Sequence, residues 1–145
     1  MIQRKQSLWL LFSALLGAGV FFFDLYRGEI KVGELTDHKV LRVADHYPSL
    51  LIAIVMVALP LVTIFMFRDR KRQMRMTALS IISAMSFLTM MLTRVTGLSK
   101  LTPPVTGGSY WIGAVLPALS LVFLLLALLG IRSDEKLVRS VDRLR

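Results

Sequence analysis

The chain contains no cysteine, and only 9 of its 145 residues are acidic. The lack of cysteine excludes disulfides, thiolate nucleophiles and Cys-ligated metal or iron–sulfur sites. The 18 lysines and arginines outnumber the acids, which gives a formal net charge of +9. Hydrophobic residues make up 55% of the chain, more than the share of about 45–50% in soluble domains. This composition predicts a small integral membrane protein in which charged segments flank apolar spans.

Four apolar runs are each long enough to cross a bilayer, which takes about 20 residues of helix. They cover residues 7–26, 48–67, 76–96 and 110–131. A cleaved signal peptide is the alternative for the first run, but its apolar stretch continues to Phe23, which favours a retained span. The sequence therefore predicts one domain with the fold of an all-α membrane protein, a four-helix transmembrane bundle.

The distribution of lysine and arginine predicts the orientation of the spans, because these residues resist translocation. Twelve of them lie in the first six residues, in loop 68–75 and in tail 132–145. The other six lie at Arg94 and in loops 27–47 and 97–109. Both ends of the chain are therefore expected in the cytoplasm.

Small residues at helical spacing predict where the spans touch, since helices in lipid associate through close backbone approach. Chance is the alternative, because such residues are common in spans. The candidate packing residues are Ser13, Ala14, Gly17 and Ala18 in the first span and Gly113, Ala114, Ser120 and Ala127 in the fourth.

Two charged residues, Asp24 and Arg94, lie at the outer ends of the first and third spans. At a rise of about 1.5 Å per residue, each lies roughly 25–27 Å from the inner interface. An unpaired charge near hydrocarbon is costly, so we expect an ion pair between them. The alternative is that both side chains extend separately to headgroups or water.

The first outer loop predicts a small β-hairpin. Residues 29–32 and 39–43 alternate in hydrophobicity around a polar turn at residues 36–38, as paired strands do. Loop 97–109 contains Pro-Pro and Gly-Gly steps and is expected to be an irregular turn.

The first loop also contains two Asp-His steps, which are candidate zinc ligands, but a solvated surface explains them equally well. No metal and no cofactor is predicted.

The inner loop and the tail are expected to contact anionic headgroups or a partner. Basic residues directly beside spans attract such headgroups, so nucleic acid is not expected as a partner. Ser133 can cap a short amphipathic helix in the cytoplasmic tail, which would lie on the membrane or dock onto a partner. The residues expected in these contacts are Arg68, Arg70, Lys71, Arg72, Arg75, Leu137, Arg139, Val141, Arg143 and Leu144.

Both ends and the middle of the chain resemble a known family. The matching segments are MIQR at residues 1–4, FRDRKRQMR at 67–75, the Leu-Pro step at 116–117 and DEKLVRSVDRLR at 134–145. They are similar to the four-span inner-membrane proteins of Bacteroidota catalogued as domain-of-unknown-function family 4293. The resemblance implies a bacterial cytoplasmic-membrane protein, in which loops 27–47 and 97–109 would be periplasmic. It implies no activity and no catalytic residues.

Three classes of function remain to be weighed. An enzyme is the least expected, because the spans lack His, Asp and Glu away from their ends and membrane enzymes need such groups. A small-solute or ion transporter needs polar groups along a path, and the candidates are the hydroxyls of Ser86, Thr89 and Thr93 in the third span. The leading interpretation is a non-catalytic accessory or structural subunit of an inner-membrane assembly of translocation, secretion or respiratory type. Its expected partners are other membrane proteins or further copies of the chain.

Overall fold

The computed structural model describes residues 3–32, 35–67, 69–98, 100 and 105–142. The chain is mostly helical, with a small sheet. In chain order the elements are helix α1 (Gln3–Gly19), strands β1 (Tyr26–Val32) and β2 (Leu35–Leu41), helices α2 (Tyr47–Phe65) and α3 (Arg70–Leu98), strand β3 (Val105–Tyr110) and helix α4 (Ile112–Asp142).

Within the part of the chain that the structure describes, three helices are long and apolar enough to cross a membrane. They are α2, α3 and the part of α4 from Ile112 to Val138. Helix α1 has 17 residues, so it is shorter than the predicted run 7–26. After Gly19 the regular helix gives way to tighter turns, in which the N–H groups of residues 20–23 donate to carbonyls three or four residues earlier. Glycine favours such an ending because it stabilises a regular helix poorly.

The four helices pack in a ring. Helix α1 contacts α2 and α4, and α3 contacts the same two helices. Neighbours are antiparallel, since Gln6 lies beside Gly130 while Gly19 lies beside Leu116. The bundle therefore has up-down-up-down topology. One end holds the start of α1, the α2–α3 connection and the last turns of α4, and we call it the terminal end. The other end holds the strands, and we call it the sheet end.

The predicted hairpin is present and belongs to a three-stranded antiparallel sheet of order β2-β1-β3. The turn was predicted wrongly, because residues 36–38 lie within β2 and pair with residues 29–31 of β1. Strand β3 was also missed, since the segment had been expected to be an irregular turn. Gly107 and Gly108 lie opposite the single residue Gly28 at an irregularity in the β1–β3 register, and Gly107 has φ of +66°. A bulge with glycine in the left-handed conformation accounts for both observations.

The tail was predicted as a separate helix, and this is wrong. Helix α4 runs without a break from Ile112 to Asp142, so Ser133 lies inside it. A serine caps a helix only where the preceding backbone is not helical. No glycine or proline follows Gly130 in the sequence, and continuing the helix therefore satisfies more backbone hydrogen bonds than restarting it.

Apolar side chains fill the space inside the ring and beneath the sheet. Between the helices the buried core includes Leu10, Met56, Phe87 and Leu124. At the sheet end it continues through Leu25, Leu41, Val43 and Val105. The outward faces of the helices carry further large apolar side chains, which suits helices surrounded by lipid.

Candidate functional site

The predicted packing residues of α1 and α4 meet at a pair of serines. The Oγ atoms of Ser13 and Ser120 lie 2.8 Å apart, and Ser120 also donates to the Ser13 carbonyl at 3.0 Å. Both residues are fully buried. Ala14, Ala114 and Ala127 are buried as well, whereas Ala18 is half-buried.

Two predicted packing glycines lie against other elements. A Cβ on Gly17 would come within 3.2 Å of Val57, so this glycine faces α2. A Cβ on Gly113 would lie 2.5 Å from the Asp24 carbonyl oxygen. The first turn of α4 therefore packs against the backbone that follows α1, and the Gly113 N–H donates to that carbonyl at 3.1 Å.

Asp24 accepts hydrogen bonds from two arginines at the sheet end. It lies between α1 and β1, where Arg27 donates to one carboxylate oxygen at 2.6 Å and Arg42 donates to the other at 2.7 Å. Hydrogen bonds first from Arg42 and then from Arg27 hold the pKa of Asp24 below its usual value. The Arg27 guanidinium also stacks 4.2 Å from the ring centroid of Trp111, a cation–π contact. Asp24 thus joins the end of α1, the sheet and the start of α4.

The predicted pair of Asp24 with Arg94 is not formed. Arg94 instead donates to the Arg42 carbonyl at 2.9 Å and lies 3.5 Å from the Ser49 hydroxyl. Asp24 and Arg94 both lie at the sheet end, but Arg27 of β1 and Arg42, which directly follows β2, are the arginines that bind Asp24. Among the described residues, no carboxylate lies within ion-pair distance of Arg94.

A second polar cluster lies at the terminal end, and sequence reasoning missed it. Gln6 and Asp134 are both buried, and the Gln6 amide donates to the Asp134 carboxylate. Arg70 donates to the Asp134 carbonyl at 2.9 Å. Gln73, also buried, donates to the Thr63 carbonyl at 3.5 Å. The cluster joins all four helices. The sequence feature that could have predicted it is the presence of these polar residues in a largely apolar chain.

The basic residues predicted to face headgroups differ in their contacts and in their exposure. Arg70 contacts Asp134, and Arg72 pairs with Asp69 at 3.0 Å. Lys71 and Arg75 are exposed at the terminal end, as is Leu137. Arg68, Arg143 and Leu144 lie outside the described residues, and the side chains of Arg139 and Val141 are also outside them.

The hydroxyls of Ser86, Thr89 and Thr93 lie on the outside of the bundle. All three residues are exposed, and each hydroxyl donates to a carbonyl of α3 at 2.8–3.0 Å. A different hydroxyl of α3, Ser83 Oγ, is buried and has no hydrogen-bond partner among the described residues. The structure therefore does not arrange the predicted hydroxyl face around a path through the bundle.

The described polar side chains join the helices to one another and to the sheet. The buried carboxylates Asp24 and Asp134 both accept hydrogen bonds from neighbouring side chains. The described residues contain no group of three or more side chains that could together hold a metal ion. His46 acts at a helix start, where its Nδ1 accepts the backbone N–H of Ser49.

Comparison with known proteins places the chain in a family. A family described as "Domain of unknown function (DUF4293)" matches residues 2–144, which is nearly the whole chain. No curated protein and no solved structure matches it in the other two comparisons. The chain belongs to the DUF4293 family.

Proposed function

We propose that the chain is a four-span protein of the bacterial inner membrane, of Bacteroidota origin, with both ends in the cytoplasm. Its antiparallel ring supports the span count, because α1 packs alongside α2 and α4, two helices apolar enough to cross a membrane. The outward side chains of α1 are large and apolar, among them Leu8, Phe12 and Leu15. An even number of spans leaves both chain ends on one side.

The charge distribution supports the proposed direction. Lys71 and Arg75 are exposed in the first turns of α3 at the terminal end, within the segment 68–75 that has the highest density of basic residues in the sequence. In this orientation they face the anionic headgroups of the cytoplasmic leaflet, which attract each cation by about 1 kcal/mol. The three-stranded sheet would then lie at the periplasmic surface.

Within that membrane we propose a non-catalytic role, as an accessory or structural subunit of a larger assembly. The main support for this proposal is the length of α4, which exceeds the thickness of the hydrocarbon core. Its 31 residues span about 46 Å at a rise of 1.5 Å per residue, whereas the hydrocarbon core is about 30 Å thick. The last turns therefore extend beyond the hydrocarbon core, to the level of the headgroups, within the same continuous helix. There Leu137 and Val138 remain 54% and 43% exposed, which favours a surface that a partner protein covers.

The alternative function is transport of a small solute or ion along the hydroxyl face of α3. That proposal is less well supported, because Ser86, Thr89 and Thr93 lie outside the ring and bond to their own helix. A transport path needs polar groups that face an interior cavity or a pore.

Purification of a tagged chain in mild detergent, followed by mass spectrometry, tests the subunit role. We expect a stoichiometric partner with the wild-type chain and its loss when Leu137→Ser and Val138→Ser are combined. Lys71→Ser is the matched control, since it changes an exposed side chain at the same end of the bundle. If the chain runs alone and reconstituted vesicles show solute or ion flux, the subunit role is wrong.

A further inference from the structure

A groove between α2 and α3 opens to the outside of the bundle. It runs from the middle of the helices toward the sheet end and has a volume of about 510 Å³. Apolar side chains form most of its wall, including Ile52 of α2 and Ile82, Met85 and Met90 of α3. The groove therefore lies where α2 and α3 would face lipid.

The hydroxyls on the same wall do not make the groove polar. Ser86 donates to the Ile82 carbonyl at 2.9 Å, and Thr89 donates to the Met85 carbonyl at 3.0 Å. Thr93 donates to the Met90 carbonyl at 2.8 Å. A hydroxyl that bonds back to its own helix leaves mainly methyl and methylene groups to contact a hydrocarbon chain.

Arg94 does not line the groove but is the next residue after Thr93, which lines it toward the sheet end. Its guanidinium reaches Ser49 of α2, which is one turn before Ile52. Its Nη1 is directed at the Arg42 carbonyl and the Ser49 hydroxyl. A guanidinium has five N–H donors, so the contacts of this one nitrogen leave donors for another acceptor.

Among the described residues, no carboxylate forms an ion pair with Arg94. Both oxygens of Asp24 accept from Arg27 and Arg42. Asp45 lies close enough to interact electrostatically with Arg94, and its carboxylate accepts the Arg42 backbone N–H without making a direct contact with the guanidinium. The charge and the planar fork of Arg94 suit a phosphate group, which arginine binds through two parallel hydrogen bonds.

The length of the groove matches one acyl chain. Ile82 and Thr93 mark its two ends along α3, and eleven residues of helix rise about 16 Å. That is close to half of the hydrocarbon core, which is about 30 Å thick. The groove therefore reaches from the bilayer centre to the headgroup level of one leaflet.

We propose that this groove and Arg94 form a binding site for one phospholipid of the leaflet at the sheet end. An acyl chain occupies the groove, and the phosphate accepts hydrogen bonds from Arg94. The opposite charges of the phosphate and the guanidinium select a phospholipid over a neutral lipid. The site requires that α2 and α3 lie in the bilayer, and it does not depend on a partner at Leu137.

Native mass spectrometry of delipidated protein tests the site. The probes are phosphatidylglycerol, glycerol phosphate without acyl chains, and diacylglycerol without phosphate. Arg94→Gln removes the positive charge. Thr89→Phe fills the groove, and because Thr89 is exposed, the larger side chain does not disturb the buried core. Lys39→Gln is the control, because it removes an exposed cation at the same end of the molecule.

We expect wild-type chain and Lys39→Gln to retain one phosphatidylglycerol with equal affinity. Arg94→Gln should weaken this binding about tenfold, as expected for the loss of a charged hydrogen bond. Thr89→Phe should weaken it as strongly, and diacylglycerol should bind wild type about tenfold more weakly than phosphatidylglycerol does.

Three results would overturn the proposal. Arg94→Gln with unchanged phosphatidylglycerol affinity would show that Arg94 does not hold the phosphate. Thr89→Phe with unchanged affinity would show that no acyl chain lies in the groove, whether or not Arg94→Gln folds. Competition by glycerol phosphate at the concentration of the lipid would show a site for free anions instead.

Discussion

The hydroxyls of Ser13 and Ser120 meet 2.8 Å apart between α1 and α4, where both residues are fully buried. Ser120 makes a second hydrogen bond, to the Ser13 carbonyl at 3.0 Å. The small size of both residues lets the two backbones approach, and their hydroxyls define how far one helix is shifted along the other. This contact holds α1, the shortest helix of the bundle, in position.

Ser120→Ala should lower the free energy of unfolding by about 1–2 kcal/mol, because it removes two hydrogen bonds and leaves a buried Ser13 hydroxyl. Ser13→Ala should cost about half as much, since Ser120 can still donate to the carbonyl. Denaturation in mixed detergent micelles measures both effects. Ser86→Ala is the control, as that exposed hydroxyl bonds only to its own helix; equal losses in all three variants would contradict the interhelical role.

Gly113→Ala should destabilise the fold by about 1–3 kcal/mol, the usual cost of overpacking. Its new Cβ would lie 2.5 Å from the Asp24 carbonyl oxygen and 2.8 Å from that of Phe23, and backbone atoms cannot move aside easily. Gly97→Ala is the matched control, because a Cβ there would meet nothing within 4 Å. It should be neutral or stabilise α3 by up to about 1 kcal/mol. Thermal unfolding of the two variants compares them directly, and a Gly113→Ala variant as stable as Gly97→Ala would be inconsistent with the close approach.

The sequence predicted the helices better than it predicted their contacts. Long apolar runs locate α2, α3 and α4 because a bilayer imposes a minimum length of apolar helix. Alternating residues located the β1–β2 hairpin for a similar reason, since one face of a strand is buried and the other is not. Strand β3 could not be predicted from its Gly-Gly step, because the same step marks a turn or a bulge.

The choice of partner among nearby charges is a tertiary property. Asp24 and Arg94 were predicted to pair, yet the β1–β2 hairpin brings Arg27 and Arg42 to Asp24 instead. Gln6 and Asp134 are 128 positions apart, and no periodicity within one segment reports such a contact. The continuity of α4 was missed because an N-cap pattern at Ser133 has the same sequence whether or not the preceding residues are helical.

Asp24→Asn should lower the free energy of unfolding by about 1–3 kcal/mol, since it weakens charge-assisted hydrogen bonds to two arginines. Asp69→Asn is the control: it breaks the exposed pair with Arg72 and should cost at most about 1 kcal/mol. The pKa of Asp24 is lowered in the folded chain from an ordinary 3.8. Its contribution is therefore complete above that pH and is lost as the pH falls through the folded-state value. The difference between wild type and Asp24→Asn should shrink over the same range; a difference that grows with acid would contradict the pairing.

Ser83→Ala should leave stability unchanged or raise it by about 1 kcal/mol. The Ser83 hydroxyl is buried without a partner in the described part of the chain, so its removal relieves a desolvation cost without breaking a hydrogen bond. Ser120→Ala provides the contrast, because the same chemical change there removes a partnered hydroxyl. A loss of stability in Ser83→Ala as large as in Ser120→Ala would show that Ser83 has a partner in the membrane.

Paired reporter fusions test the four-span arrangement most directly. Alkaline phosphatase is active only in the periplasm, so its activity reports the side on which each fusion point lies. We expect an active enzyme when it is inserted between β1 and β2, and an inactive one when it is fused after Arg145. Phosphatase activity at Arg145, or a mature chain that begins near Phe21, would contradict the arrangement, because either result removes α1 as a membrane span or reverses the bundle.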